Sequence, residues 1–124
     1  MVNILCIDNS KTIRQVIKDC VLDLGYGFYE AENGNVGLEK ADIIENLKMI
    51  IVDWNMPEIS GKETLKKLKL NRKITNALYL VLIRIENKDE VMEALEMGAN
   101  GYVLKPFSVK EVQDEIEKMI KNAV

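Results

Sequence analysis

The stretch Met49-Ile-Ile-Val-Asp-Trp-Asn-Met-Pro-Glu58 decides the fold of this chain. Its first four residues are apolar and three are β-branched, which is typical of a short strand buried on both faces. Asp53 follows this run directly, and Pro57 forces a turn soon afterwards. The sequence therefore predicts a central strand that presents one carboxylate to a loop, at the strand end where open parallel sheets bind ligands.

Four more apolar runs predict strands at residues 3–7, 28–31, 78–83 and 101–104. Amphipathic segments between them predict five helices, so strands and helices alternate along the chain. Asn9 or Ser10 is predicted to cap the first helix. Capping boxes formed by Asn87 with Glu90 and by Ser108 with Glu111 are predicted to begin the fourth and fifth helices. This alternation predicts an α/β fold, a mainly parallel five-stranded sheet with helices on both faces.

Composition limits the kinds of function. The 124 residues are 48% apolar and 30% charged, which fits one globular domain over residues 1–124, and we expect no attached output domain. The net charge is −3 with a pI near 5.1, which argues against direct nucleic-acid binding. A lysine- and arginine-rich cluster is interpreted as a solvated helix face; it comprises Lys66, Lys67, Lys69, Arg72 and Lys73.

The apolar runs, the cysteines and the lack of histidine indicate where the protein works and which side chains can take part in its chemistry. No apolar run approaches the roughly 18 residues of a membrane span, so we expect no membrane insertion. Cys6 and Cys20 lie in apolar periodic segments and are interpreted as buried free thiols, which suits a cytoplasmic protein. The chain has no histidine, so any polar chemistry must use carboxylates, amides, Lys and Arg.

Three charged residues stand at predicted strand ends: Asp8, Asp53 and Lys105. These ends meet at one edge of a doubly wound sheet, so the three side chains are expected to lie close together. Two neighbouring carboxylates favour a cation, and an all-oxygen donor set favours Mg²⁺. With Lys105 to pair with a phosphoryl oxygen, Asp53 is the candidate nucleophile for forming an aspartyl phosphate.

Markers along the whole chain resemble the response-regulator receiver domain of the CheY type: Asp8-Asn9, Asp53 to Pro57, Gly61, Gly98 to Tyr102, and Lys105 to Phe107. The resemblance implies a (βα)5 flavodoxin-like fold with strand order 2-1-3-4-5. It implies Asp53 as phosphoacceptor, Lys105 as its phosphate-pairing base, and Asp8 with the Asn55 backbone carbonyl as metal ligands. It also implies Tyr102 as a switch aromatic and a cis bond before Pro106.

Three residues depart from the family pattern. Asn9 replaces the second acidic residue after strand one, so it is at most a weak, uncharged metal ligand. Ile83 stands where the family has the Ser or Thr that drives the switch, and Arg84 follows it. Asp8, Asp53 and Lys105 sum to −1, so we expect weaker Mg²⁺ binding than in a typical receiver. Arg84 is interpreted as a solvated side chain or, alternatively, as a gate that turns in beside Asp53.

The leading hypothesis is a phosphorelay receiver that takes a phosphoryl group from a histidine kinase or a histidine phosphotransfer protein. It is then expected to bind a target protein through helix 4, strand 5 and helix 5, without acting as a turnover enzyme. The alternative is a non-phosphorylated interaction module of the same fold. A flavin-binding enzyme is disfavoured because the loop after strand one lacks glycine, and a haloacid-dehalogenase-type phosphatase because Asn55 replaces its second Asp.

Overall fold

The computed structural model describes residues 1–123 and contains one parallel sheet of five strands in the order β2-β1-β3-β4-β5. The strands are β1 (Asn3–Ile7), β2 (Gly27–Ala31), β3 (Leu47–Asp53), β4 (Leu78–Arg84) and β5 (Gly101–Lys105). The order reverses direction at β1 and β3, which places a topological switch point between these two strands. The predicted fold class and strand order are therefore confirmed, and only Val124 lies outside the described residues.

Five α-helices connect and follow the strands: α1 (Lys11–Asp23), α2 (Gly34–Ile43), α3 (Gly61–Leu68), α4 (Val91–Glu96) and α5 (Val109–Asn122). Short 3₁₀ segments at Arg72–Ile74 and Ile85–Glu90 precede β4 and α4. Among residues 1–123, no helix is both long and apolar enough to cross a membrane.

Strand alternation divides the core into two layers, one on each face of the sheet. One layer packs Leu5, Ile50 and Val81 against α2, α3 and α4. The other packs Met49, Ile51 and their neighbours against α1 and α5. Because β3 is covered on both faces, its apolar run has no solvent-facing positions, as the opening stretch predicts.

Two of the three predicted helix starts are confirmed. The Ser10 hydroxyl accepts a hydrogen bond from the Ile13 N–H, and Ser108 with Glu111 forms a complete capping box. The predicted capping box of Asn87 with Glu90 is wrong. Asn87 lies inside the 3₁₀ segment with φ −111° and ψ 26°, and α4 begins later, at Val91, without a side-chain cap. The Glu90 carboxylate instead accepts a hydrogen bond from Asn55 at 3.1 Å.

Candidate functional site

The three predicted strand-end residues meet at one point on the carboxyl edge of the sheet. Lys105 Nζ lies 2.9 Å from Asp8 Oδ2 and 3.3 Å from Asp53 Oδ1, so one ammonium group bridges both carboxylates. Asp8 is fully buried, Asp53 is 3% exposed, and the Lys105 side chain is largely buried. The predicted grouping of these three side chains is therefore present in the structure.

Backbone hydrogen bonds hold both carboxylates in place. Asp8 Oδ1 accepts from the Ser10 N–H at 2.8 Å, and the Asp8 N–H extends the β1–β2 ladder to the Ala31 carbonyl. Asp53 Oδ1 accepts from the Asn55 N–H at 3.2 Å. The N–H groups of Ser10 and Asn55 therefore help to orient the carboxylates of Asp8 and Asp53.

Burial sets the proton affinity of Asp53. Loss of solvation raises the pKa of the Asp53 carboxyl above its ordinary value, and the Asp8 carboxylate raises it further. The Lys105 ammonium and the Asn55 N–H lower the pKa and offset part of this effect. Asp53 is thus a more basic carboxylate than one in water, with a neighbouring cation to pair with it.

Gly61 brings α3 directly against the site. A Cβ at Gly61 would lie 2.3 Å from the Asp53 carbonyl oxygen and 2.5 Å from the Trp54 Cα. Both atoms belong to the backbone, so a larger residue would displace the end of β3 or the start of α3. The Gly61 N–H also donates to the Trp54 carbonyl at 3.2 Å. Trp54 itself is buried in the core, beside Asp53 in sequence.

Asn9 and Arg84 both point to solvent. Asn9 is exposed and lines a cleft of about 310 Å³ that Glu32 and Glu58 also line. Arg84 is exposed, and within residues 1–123 its guanidinium forms no ion pair with Asp53, so the inward gate is not the observed conformation. Glu32 and Glu58 were missed from the sequence, because only the folded chain brings them beside Asn9.

Ile83 and Tyr102 occupy contrasting environments. Ile83 is fully buried in the same hydrophobic cluster as Trp54, Met56 and Ala94, so an aliphatic side chain fills the position where the resemblance implies a Ser or Thr. Tyr102 is 41% exposed and lines a groove of about 460 Å³ between β5 and α5. The bond between Lys105 and Pro106 is cis, as the resemblance implies.

Asn55 links the loop after β3 to the segment after β4, a connection that the sequence did not reveal. Its side-chain Nδ2 donates to Glu90 Oε1 at 3.1 Å, and its Oδ1 accepts from the Arg84 N–H at 3.4 Å. The same residue donates its backbone N–H to Asp53. Asn55 therefore contacts both Asp53 and the segment that leads into α4.

The donor chemistry at this edge fits a divalent cation that prefers oxygen ligands. Asp8 and Asp53 supply buried carboxylates, and the backbone of Asn55, which the resemblance implies as a ligand, lies in the loop that follows β3. The net negative charge of these ligands is small, because Lys105 already pairs with both carboxylates. Among the described residues, no group of three acidic, Cys or His side chains is placed to hold a metal ion.

The strand order β2-β1-β3-β4-β5, with two buried aspartates and a lysine at the carboxyl edge of the sheet, is the arrangement of a receiver-type signalling domain. The chain belongs to the response regulator receiver domain family, whose model matches residues 4–117.

Its relatives include chemotaxis proteins. It is 34% identical over 118 residues to the chemotaxis protein CheY1 of Helicobacter pylori, covering 94% of this chain and 95% of the relative. It is 31% identical to the chemotaxis protein CheY of Pseudomonas aeruginosa, covering 95% of each. The solved structure of Vibrio cholerae CheY4 superposes with a TM-score of 0.88 at 28% identity, over 96% of this chain and 98% of that one.

Proposed function

We propose that this receiver domain takes part in a phosphorelay, with Asp53 as the residue that accepts the phosphoryl group. The observation that supports this most directly is the bridging of Asp53 and Asp8 by Lys105 at a buried strand end. The family and its chemotaxis relatives support two-component signalling as the setting. The donor is a histidine kinase or a histidine phosphotransfer protein.

In the proposed reaction, the Asp53 carboxylate attacks the phosphorus atom of a phosphohistidine. A new O–P bond forms, the P–N bond breaks, and the electron pair of that bond leaves on the imidazole nitrogen. Both polar contacts described for Asp53 fall on Oδ1, which leaves Oδ2 to attack. The raised pKa of the Asp53 carboxyl favours this attack, because a more basic oxygen is a better nucleophile.

Lys105 is proposed to change one of its partners when the phosphoryl group is transferred. Before transfer, its ammonium pairs with Asp8 and Asp53; after transfer, it pairs with Asp8 and a phosphoryl oxygen. Asp8, Asp53 and the Asn55 carbonyl would hold Mg²⁺, which supplies neutralisation of phosphoryl-oxygen charge when bound. The domain is modified once per transfer and is proposed to act by binding rather than by turnover.

The modified domain is proposed to meet a target protein through the surface formed by α4, β5 and α5, where Tyr102 is exposed. Because Ile83 fills the switch position, no hydroxyl at that position can bond the phosphoryl group. The hydrogen bonds from Asn55 to Asp53, Arg84 and Glu90 offer an alternative link to α4.

The second candidate is a receiver-fold module that binds partners without phosphorylation. The observations that favour it are the buried Ile83 and the exposed, uncharged Asn9. Incubating the protein with acetyl phosphate and Mg²⁺ separates the two functions. We expect a mass gain of about 80 Da that maps to Asp53 and is absent from Asp53→Asn. If acetyl phosphate does not modify Asp53 of the wild-type protein and beryllofluoride does not bind there, the non-phosphorylated module is correct.

A further inference from the structure

Basic residues are concentrated in one continuous part of the chain. From Thr64 to Ile85 there are six basic residues and no acidic residue. The whole chain has 17 basic and 20 acidic residues, so the remainder holds 11 basic against 20 acidic. The protein is therefore acidic overall but has one strongly basic region, which begins on α3 and continues through the turn to β4.

The exposed side of α3 gathers part of this charge around a groove. A groove of about 440 Å³ is lined by Ser60 and by five residues that we call the α3 surface: Lys62, Glu63, Lys66, Lys67 and Leu70. All five are exposed, whereas Thr64, Leu65 and Leu68 on the opposite side of the helix are buried. Three lysines and one glutamate give the α3 surface a net charge of +2.

The basic side chains around the groove are only partly neutralised by the protein itself. Lys62 pairs with Glu93 at 2.9 Å, and Lys67 lies a loose 3.8 Å from Glu63. Within residues 1–123, neither Lys66 nor Arg72 lies within 4.0 Å of a carboxylate, while Lys73 pairs with Asp42. The surface thus retains positive charge that an acidic ligand can pair with.

Two large aliphatic side chains lie beside this charge. Leu70 is 81% exposed and forms part of the groove wall, and Ile43 at the end of α2 is 77% exposed. The neighbours of these residues are hydrogen-bonded, since Asn71 Nδ2 donates to Asp42 Oδ1 at 3.3 Å. Specific protein interfaces place an apolar centre within a polar rim, and here the rim residues are mostly basic.

We propose that the α3 surface binds an acidic segment of a partner protein, one that places a large apolar side chain against Leu70 and carboxylates against Lys66 and Lys67. A nucleic acid fits less well, because the remainder of the chain is acidic and repels an extended polyanion. A membrane surface fits less well, because two exposed aliphatic side chains give too little apolar area for an interfacial helix. The α3 surface is separate from the groove between β5 and α5, and the proposal does not require phosphorylation.

The test uses the unphosphorylated full chain and a synthetic amphipathic peptide of Glu, Ala and Leu as the probe. In a nitrogen-15 NMR titration at low salt, we expect saturable shifts in residues 60–73, with a dissociation constant below about 1 mM. The double variant Lys66→Glu with Lys67→Glu is expected to weaken binding at least about tenfold, and Leu70→Ser about fivefold. A leucine-free Glu-Ala peptide should bind several-fold more weakly than the probe.

The matched control reverses two charges on a different helix. Lys118→Glu with Lys121→Glu changes exposed residues of α5 and is expected to leave probe binding unchanged. Loss of binding in this control equal to that in the α3 double variant would overturn the proposal, as would shifts centred on β5 and α5. Absence of saturable shifts would also overturn it, and so would tighter binding to a DNA oligonucleotide or to phosphatidylserine vesicles than to the peptide.

Discussion

Substituting Asn9 by Asp tests how charge controls cation binding at this site. Asn9 directly follows Asp8 and is exposed, so an added carboxylate would act through water rather than through the protein interior. Two unit charges about 4 Å apart in water interact by about 1 kcal/mol, and by about twice that when one charge is divalent. A gain of about 2 kcal/mol corresponds to roughly 30-fold tighter Mg²⁺ binding.

The surroundings of Asn9 set the direction of a second effect. Glu32 and Glu58 line the same cleft, so a carboxylate at position 9 adds repulsion in the metal-free protein. We therefore expect Asn9→Asp to be slightly less stable than wild type without Mg²⁺ and to regain stability as Mg²⁺ is added. This coupled change separates a true site ligand from a general increase in negative charge.

Titration with Mg²⁺ at constant ionic strength measures the effect, with calorimetry as the primary readout. Trp54 offers a second signal, because it adjoins Asp53 in sequence and is the only tryptophan of the chain. The matched control is Asn76→Asp, which adds the same charge at an exposed residue two positions before β4, at the opposite edge of the sheet. A gain below about threefold for Asn9→Asp, or an equal gain for Asn76→Asp, would refute this electrostatic account.

Three further substitutions test the site and its neighbours. Lys105→Met removes the cation between two buried carboxylates, and we expect a loss of about 2–4 kcal/mol at neutral pH that diminishes in acid, measured by urea unfolding. Asp53→Asn should raise the melting temperature at neutral pH. The raised pKa of the Asp53 carboxyl makes the stability of the wild-type protein fall as pH rises above the pKa of the unfolded state, and the asparagine variant lacks this loss. A gain in melting temperature that grows towards acid pH would contradict this sign. Ile83→Thr should cost about 2 kcal/mol because it buries a hydroxyl, against about 1 kcal/mol for the control Ile83→Val, and equal losses would show that packing alone matters.

Local patterns in the sequence were sufficient to predict the α/β fold class, whereas the strand order followed from the resemblance to the receiver family. The β-branched run before Asp53 and the continuous apolar run before Arg84 lack polar alternation, which is typical of strands covered on both faces. Because parallel strands place their carboxyl ends at one edge, the sequence also predicted that Asp8, Asp53 and Lys105 would meet. The structure confirms that meeting, and the Lys105 distances show which charges pair.

The tertiary structure alone decided the contacts made by side chains from distant parts of the chain. Glu90 matches a capping pattern locally, but its carboxylate binds Asn55, which is 35 residues away. Likewise, Glu32 and Glu58 reach the cleft beside Asn9 only when β2 and β3 lie on either side of β1. Apolar periodicity predicts which face of an element is buried, because the spacing of apolar residues within one segment determines which of its faces is apolar. Pairing among charged and amide side chains depends on the folded positions of several segments, so local sequence does not determine it.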